Sequence, residues 1–215
     1  MNKEQNVIKF YCLCNKLKNV IRTGWINWDI DRDRVESVAE HIYSTQMLAI
    51  SMYSEYNYNL DIYKVIYMLA IHELEEIIIG DIPQMSQEHK NKQEKGHEAI
   101  KKILSCLLDK EKIEYLILEF DERKTKEAIF AYHCDKLECD LQAKLYEEEG
   151  CFKEEKLKKN KWYQLEIVQD LIKEGYNTFS KRWFHTDENK FIDDENFMKV
   201  FLYARDNKIC LDKDE

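Results

Sequence analysis

Turn-forming residues are scarce in this chain. Its 215 residues include one proline and five glycines. Because these two residue types mark tight turns and interrupt helices, their scarcity favours long helical segments over many short strands. We therefore expect an all-α protein. The length fits one domain with a sizeable core, and we expect a single domain over 1–215, with a core carrying the motifs at about 20–149 and a C-terminal helical extension at about 150–215.

Long apolar runs, an excess of basic residues and ordered cysteine spacing are also missing. No stretch reaches the roughly 18 apolar residues that a membrane-spanning helix needs, so we expect no membrane partner. The net charge of −9 argues against a binder of polymeric nucleic acid, which normally presents a basic face. Seven cysteines without finger or disulfide spacing are typical of reduced thiols. With no apolar signal core at the N-terminus, we expect a cytoplasmic protein.

Three segments combine helical periodicity with polar residues on their apolar faces. The apolar spacing predicts helices at 36–56, 62–79 and 125–149. The polar residues on their apolar faces are His41 in the first helix, His72 and Glu73 in the second, and Asp135 in the third. Burying such side chains is costly unless they are paired or bind a metal.

Two imidazoles and two carboxylates suit a divalent transition ion. The sequence therefore predicts one such ion, Mn, Fe, Co, Ni or Zn, held by His41, His72, Glu73 and Asp135. Each position also has a simpler interpretation. The histidines can be hydrogen-bonded core residues, Glu73 a carboxylate at the rim of a site, and Asp135 an acid paired with a lysine.

Residues that could act on a substrate lie close to these candidate ligands in the sequence. Glu76 follows His72 and Glu73 by about one helical turn, where it could orient or deprotonate an attacking water. Asp81 follows the predicted helix stop and suits a substrate hydroxyl, although it could be a simple turn residue. Arg22 could hold phosphate with two parallel bonds, and Trp25 could offer a flat apolar surface to a base. Residues 25–34 are interpreted as a polar loop.

Short motifs occur in a consistent order over about 20–149. They are Arg22-Thr23-Gly24-Trp25, Glu36-Ser37-Val38-Ala39-Glu40-His41, His72-Glu73-Leu74-Glu75-Glu76 with Gly80-Asp81-Ile82-Pro83, and Cys134-Asp135-Lys136-Leu137-Glu138 with Leu141-Gln142-Ala143 and Tyr146-Glu147. In this order they resemble the HD-domain proteins of the 5'-deoxynucleotidase type. The resemblance implies an HD-domain helical bundle, with the remaining C-terminal helices as additions to it.

The resemblance also implies a function. Members of this family are metal-dependent phosphohydrolases that remove the 5'-phosphate of deoxynucleoside monophosphates, and they often form homodimers. The family's residues map onto this chain as follows: metal ligands His41, His72, Glu73 and Asp135; catalytic carboxylate Glu76; sugar-contacting acid Asp81; and substrate-side residues Arg22 and Trp25.

One departure from the family pattern concerns the metal ligands. The family has Asp after the second histidine, whereas this chain has Glu73, whose extra methylene moves the carboxylate by roughly 1.5 Å. Two other functions stay open, the second of them because of Glu73. One is an HD hydrolase of another phosphorylated nucleotide, such as a triphosphate or cyclic nucleotide. The other is a non-catalytic helical protein that binds a nucleotide or a partner chain.

Overall fold

The computed structural model describes residues 2–83 and 92–211, without the side chain of Glu154. In these ranges all regular elements are helices, which confirms the predicted all-α class. The α-helices are α1 (Lys3–Cys14), α2 (Thr23–Asn27), α3 (Val38–Glu55), α4 (Ile62–Ile71), α5 (Glu76–Ile79), α6 (Lys92–Leu104), α7 (Lys110–Glu122), α8 (Lys126–Glu148), α9 (Glu154–Leu157), α10 (Glu166–Lys173), α11 (Phe179–Asp187) and α12 (Glu195–Asp206). Two 3₁₀ helices span Asn15–Asn19 and Glu188–Phe191.

None of the helices described here combines the length and the apolar character that crossing a lipid bilayer requires.

The chain forms two compact units. The first comprises Met1–Gly24 and Glu36–Tyr132, and the second comprises Trp25–Val35 and His133–Glu215. The division expected from the sequence, a core at about 20–149 followed by an extension, stays a prediction.

Helices α3 and α4 pack against each other in the first unit. A capping box starts α3, because Ser37 accepts from the Glu40 N–H and the Glu40 carboxylate accepts from the Ser37 N–H. Asp61 caps α4 by accepting from two backbone N–H groups. The unit's core also includes Leu17 and residues of α6 and α7, and its buried members are Leu17, Val38, Ile71, Leu74, Ile100, Ile103, Leu104, Ile113 and Ile117.

The predicted helix at 62–79 is interrupted at the residues that carry the His-Glu pair. Helix α4 ends at Ile71, and residues 72–75 form tighter turns before α5. There the N–H of Leu74 donates to the Ile71 carbonyl and that of Glu76 to the Glu73 carbonyl, each at 3.2 Å. These are 3₁₀-type bonds, which often occur at functional positions inside helices. The periodicity of apolar residues did not distinguish this short tightening from a continuous helix.

The second unit has an aromatic core that includes both tryptophans of the segment 25–34. The ring of Trp25 lies 5.4 Å from Tyr146, and that of Trp28 lies 5.1 Å from Phe179, both edge to face. The interpretation of this segment as a polar loop is therefore wrong for its tryptophans. Edge-to-face contacts add to the stabilisation that comes from burying such large rings.

Candidate metal centre

The four predicted ligands converge. His41, His72, Glu73 and Asp135 are all buried. One potential ligand atom from each lies within 4.8 Å of those of the other three. A group this close can bind a single ion, because each donor needs to approach it to only about 2.0–2.2 Å.

One ring nitrogen of His72 is hydrogen-bonded to a backbone carbonyl. Its Nδ1 lies 2.8 Å from the carbonyl oxygen of Leu69, one turn earlier in α4. Because a carbonyl only accepts, Nδ1 carries the proton, and in a neutral ring Nε2 then has the lone pair. Such a backbone contact typically fixes the tautomer of metal-binding histidines. The rings of His41 and His72 lie 5.5 Å apart between centroids.

Glu73 lies between a histidine and a lysine. Its Oε1 is 3.9 Å from Nε2 of His72, and its Oε2 is 3.4 Å from Nζ of Lys92. The residue is buried, which argues against the interpretation as a rim carboxylate. The longer side chain thus keeps one oxygen near the histidine that precedes it.

Glu76 shares the same lysine. Lys92 Nζ lies 2.8 Å from Oε1 of Glu76, whereas Oε2 is buried and has no hydrogen-bond partner among the residues described. Burial first, and the charge of Glu73 second, raise the pKa of Glu76 well above its ordinary value, while Lys92 acts in the opposite direction. A carboxyl group with a raised pKa suits proton transfer near neutral pH.

The pKa of Lys92 is itself raised. Burial lowers it, but the carboxylates of Glu73, Glu76 and Glu75 together outweigh burial. Lys92 was not predicted as a site residue, because it lies within a stretch rich in charged residues at 88–102. Lys92 differs from the other charged residues of this stretch in its contacts with Glu73 and Glu76, which depend on the packing of α6 against α5.

Asp135 also contacts a lysine. Its Oδ2 lies 2.7 Å from Nζ of Lys136. The interpretation of Asp135 as an acid paired with a lysine is thus compatible with metal binding, because a carboxylate has two oxygens. A cation beside a buried carboxylate lowers the cost of keeping it charged.

Gly80 ends α5, and Asp81 contacts the segment that carries Arg22. Gly80 has a φ of 73° and closes α5 through its N–H to the Glu76 carbonyl at 3.0 Å, a left-handed position that favours glycine. The carboxylate of the next residue, Asp81, accepts from the backbone N–H of Thr23. It also lies 3.9 Å from Nη1 of Arg22. The structure therefore brings the predicted Arg22 and Asp81 together.

Trp25, the other predicted substrate-side residue, is 2% exposed. Its ring lies 5.0 Å from that of Trp183 in α11. The indole is therefore covered by aromatic side chains.

The donor set fits a divalent transition ion. Two imidazoles and two carboxylates are typical of sites for such ions, and tetrahedral or more highly coordinated geometries are both compatible with them. The backbone contact of His72 provides the outer support that these sites usually have.

Comparisons with known proteins show which proteins this chain is similar to. The model of the HD domain family matches residues 14–175. The chain is 32% identical over 163 residues to 5'-deoxynucleotidase HDDC2 of Dictyostelium discoideum, covering 71% of this chain and 84% of that protein. It is 30% identical over 185 residues to 5'-deoxynucleotidase hdd1 of Schizosaccharomyces pombe, covering 81% of this chain and 89% of that protein.

Solved structures share the fold. A conserved hypothetical protein from Pyrococcus furiosus is similar with a TM-score of 0.59 and 27% identity, over 80% of this chain and 99% of that one. A predicted metal-dependent phosphohydrolase from Magnetospirillum magnetotacticum is similar with a TM-score of 0.60 and 22% identity, over 93% of this chain and 95% of that one. The second likeness supports the fold alone.

Proposed function

The chain belongs to the HD-domain family, and we propose that it is a metal-dependent phosphohydrolase that removes the 5'-phosphate of deoxynucleoside monophosphates. The observation that carries the proposal is the convergence of His41, His72, Glu73 and Asp135 in one buried group. The relatives that are named 5'-deoxynucleotidases support the substrate class.

The proposed ligands are His41, His72, Glu73 and Asp135. A divalent ion at this site would supply Lewis acidity towards the phosphate and the attacking water. Glu76 is the proposed proton carrier. Its Oε2, which has no hydrogen-bond partner among the described residues, is the atom that would accept a proton from water or return one to the leaving 5'-oxygen. Burial keeps this exchange away from bulk solvent.

The substrate-side residues remain proposals as well. Arg22 would hold the phosphate, and Asp81 would accept a hydrogen bond from a sugar hydroxyl. Asp81 also fixes the segment of Arg22 through the Thr23 N–H. A direct contact between Trp25 and a base would require Trp183 to move, because Trp183 lies against the indole.

The decisive experiment is a phosphate-release assay on purified protein. Deoxynucleoside and ribonucleoside 5'-monophosphates are incubated with Mn²⁺, Co²⁺, Ni²⁺, Zn²⁺ or Fe²⁺, after elemental analysis of the metal that co-purifies. We expect release from deoxynucleoside monophosphates, with loss of activity on chelation and in a His72→Gln variant. No release with any pair of nucleotide and metal would contradict the proposal.

The two alternatives predict different outcomes in the same assay. A hydrolase of another nucleotide would release phosphate or pyrophosphate from triphosphates, or open cyclic nucleotides, faster than it cleaves monophosphates. A non-catalytic binder would bind nucleotide, or none, without turnover. In that case a large gain of activity in Glu73→Asp would show that the glutamate at position 73 lowers the activity.

We further propose that the protein acts in the cytoplasm as a homodimer on a small nucleotide, without polymeric nucleic acid or membrane as a partner. The family resemblance supports the dimer, and the acidic composition supports the absence of a nucleic-acid polymer. Sedimentation equilibrium at micromolar protein would test the oligomeric state, and microscopy of a tagged chain the compartment.

A further inference from the structure

We propose that Lys92 is a positioning residue of the reaction centre: it anchors one oxygen of Glu73 and one of Glu76, so that the other oxygen of each is presented to the ion and to the attacking water. This inference rests on the proposed function of the same site. It gives a role to a residue outside the set of ligands and substrate contacts.

Nζ of Lys92 lies close to both carboxylates. The ammonium lies 2.8 Å from Oε1 of Glu76 and 3.4 Å from Oε2 of Glu73. The Lys92 side chain is 19% exposed, and that of Glu76 is fully buried, so water competes little for these contacts. Bonds between an ammonium and a carboxylate are among the stronger hydrogen bonds in proteins.

Each of the two glutamates has a second carboxylate oxygen. Glu73 Oε1 lies 3.9 Å from Nε2 of His72, the nitrogen that keeps its lone pair. Glu76 Oε2 is buried and has no hydrogen-bond partner in the described part of the chain. A buried acceptor without a partner is costly, and such positions are common where a substrate or water binds. Lys92 thus contacts the oxygens that the chemistry does not use.

Position 73 carries a glutamate with a flexible side chain. Glu has one more rotatable bond than the Asp that the resembled family carries there, and its carboxylate can occupy more positions. An anchor on Oε2 removes that freedom. Lys92 can therefore hold the longer side chain in a position from which Oε1 reaches the ion.

Two substitutions at Lys92 and one matched control separate positioning from general charge. Lys92→Gln removes the charge, and Lys92→Arg keeps the charge but replaces one ammonium with a larger, forked head group. Lys95 lies one turn later in the same helix and is exposed, so Lys95→Gln is the control. Each protein is prepared without metal and titrated with Mn²⁺ and Co²⁺ by calorimetry, and the visible spectrum of bound Co²⁺ is recorded.

We expect Lys92→Gln to lose about 10- to 100-fold in metal affinity or kcat, the range typical for residues that orient metal ligands. KM for the deoxynucleoside monophosphate should change less than kcat, because Lys92 acts through Glu73 and Glu76. Lys92→Arg should fold with a melting temperature near that of the unmodified protein, yet change the Co²⁺ spectrum and lower kcat. Lys95→Gln should match the unmodified protein in every measurement.

A double-mutant cycle tests the anchoring of Glu73 directly. The shorter side chain of Glu73→Asp draws back from Lys92, so Lys92→Gln should cost less metal affinity in that background than alone. Strictly additive effects would contradict the anchor, since contacting residues normally couple.

The inference is overturned if Lys92→Gln, or Lys92→Arg where the former does not fold, binds both metals and turns over substrate like the unmodified protein. Failure of the proposed function looks different. In that case the unmodified protein itself releases no phosphate, while the metal titrations and the Co²⁺ spectra still report on Lys92.

Discussion

The carboxylate of Asp81 accepts a hydrogen bond from the backbone N–H of Thr23. The contact is reciprocated, because the Thr23 hydroxyl donates to the Asp81 carbonyl oxygen at 2.9 Å. The segment is held on its other side as well, where the Arg22 N–H donates to the Glu36 carbonyl at 3.0 Å. Asp81 therefore fixes the backbone from which Arg22 extends, in addition to the sugar contact proposed for it.

Replacing Asp81 with alanine should impair substrate binding more than chemistry. The loss of a hydrogen bond to a charged group costs about 1.5–3 kcal/mol, and Arg22, the residue proposed to hold the phosphate, loses a nearby carboxylate. We expect a lower melting temperature and a KM raised by about tenfold or more, since 1.4 kcal/mol corresponds to a factor of ten. Steady-state kinetics and thermal unfolding measure both effects.

The exposed Asp109 offers a matched control for Asp81→Ala, because its side chain contacts only Lys112 in the same helical turn among the ion pairs described. Asp109→Ala should leave KM unchanged. A Asp81→Ala variant with normal KM and normal melting temperature would show that the contact with Thr23 has no role in binding.

Glu76→Gln should separate proton transfer from metal binding. The amide keeps the size of the side chain and can still accept from Lys92, but it cannot carry the proton. General acid–base catalysis typically contributes about 10²- to 10⁴-fold, so we expect kcat to fall within that range. Metal affinity, measured by calorimetry, should stay close to that of the unmodified enzyme, as should both quantities in an exposed control, Glu94→Gln. An unchanged kcat would exclude Glu76 as the proton carrier.

The sequence predicted which side chains form the buried group of candidate ligands, but it did not predict the contacts that these side chains make. His41, His72 and Asp135 interrupt apolar helical faces, and that pattern is visible in one dimension. Lys92 lies within a charged stretch at 88–102, where no pattern distinguishes it from its neighbours. The contact between Thr23 and Asp81 joins residues 58 positions apart, so it depends on how the helices pack.

The tryptophans show a different limit. Trp25 and Trp28 lie one turn apart, just before the charged run at 29–34, which favoured a polar loop. Their burial depends on aromatic side chains from α8 and α11. Sequence patterning reports the composition of a segment, but the partner surface that covers it is supplied by distant parts of the chain.

Added metal should stabilise the folded protein through its buried ligands. A ligand that binds only the folded state at 100 times its dissociation constant adds about 2.7 kcal/mol to the free energy of unfolding. We therefore expect the melting temperature of metal-free protein to rise when Mn²⁺ or Co²⁺ is added. The rise should be absent in His72→Gln and retained in His185→Gln, whose histidine stacks on Tyr176. An equal rise of the melting temperature in both variants would show that the metal binds at a site that does not include His72.

Asp140 in α8 gives the fold a pH dependence that is separate from catalysis. Its side chain is 0% exposed, and neither carboxylate oxygen has a hydrogen-bond partner among the residues described. Burial first, and the carboxylate of Asp187 second, raise the pKa of Asp140 well above its ordinary value. Glu138 adds to this effect, whereas Lys190 and Lys136 oppose it.

The sign of the effect on stability follows from the raised pKa of Asp140. The folded state binds this proton more tightly than the unfolded state, in which the pKa is about 3.9. The contribution of Asp140 to the free energy of unfolding is therefore fully present below about pH 4 and is lost as the pH rises through the folded-state pKa.

In Asp140→Asn no proton is exchanged at this position. The stability of the variant relative to the unmodified protein should thus increase as the pH rises from about 4 through the folded-state pKa of Asp140. Urea unfolding at pH 5 and pH 8 measures this difference, with the exposed Asp170→Asn as control. If the stability of Asp140→Asn relative to the unmodified protein stays constant or decreases as the pH rises, ionisation of Asp140 does not destabilise the folded protein.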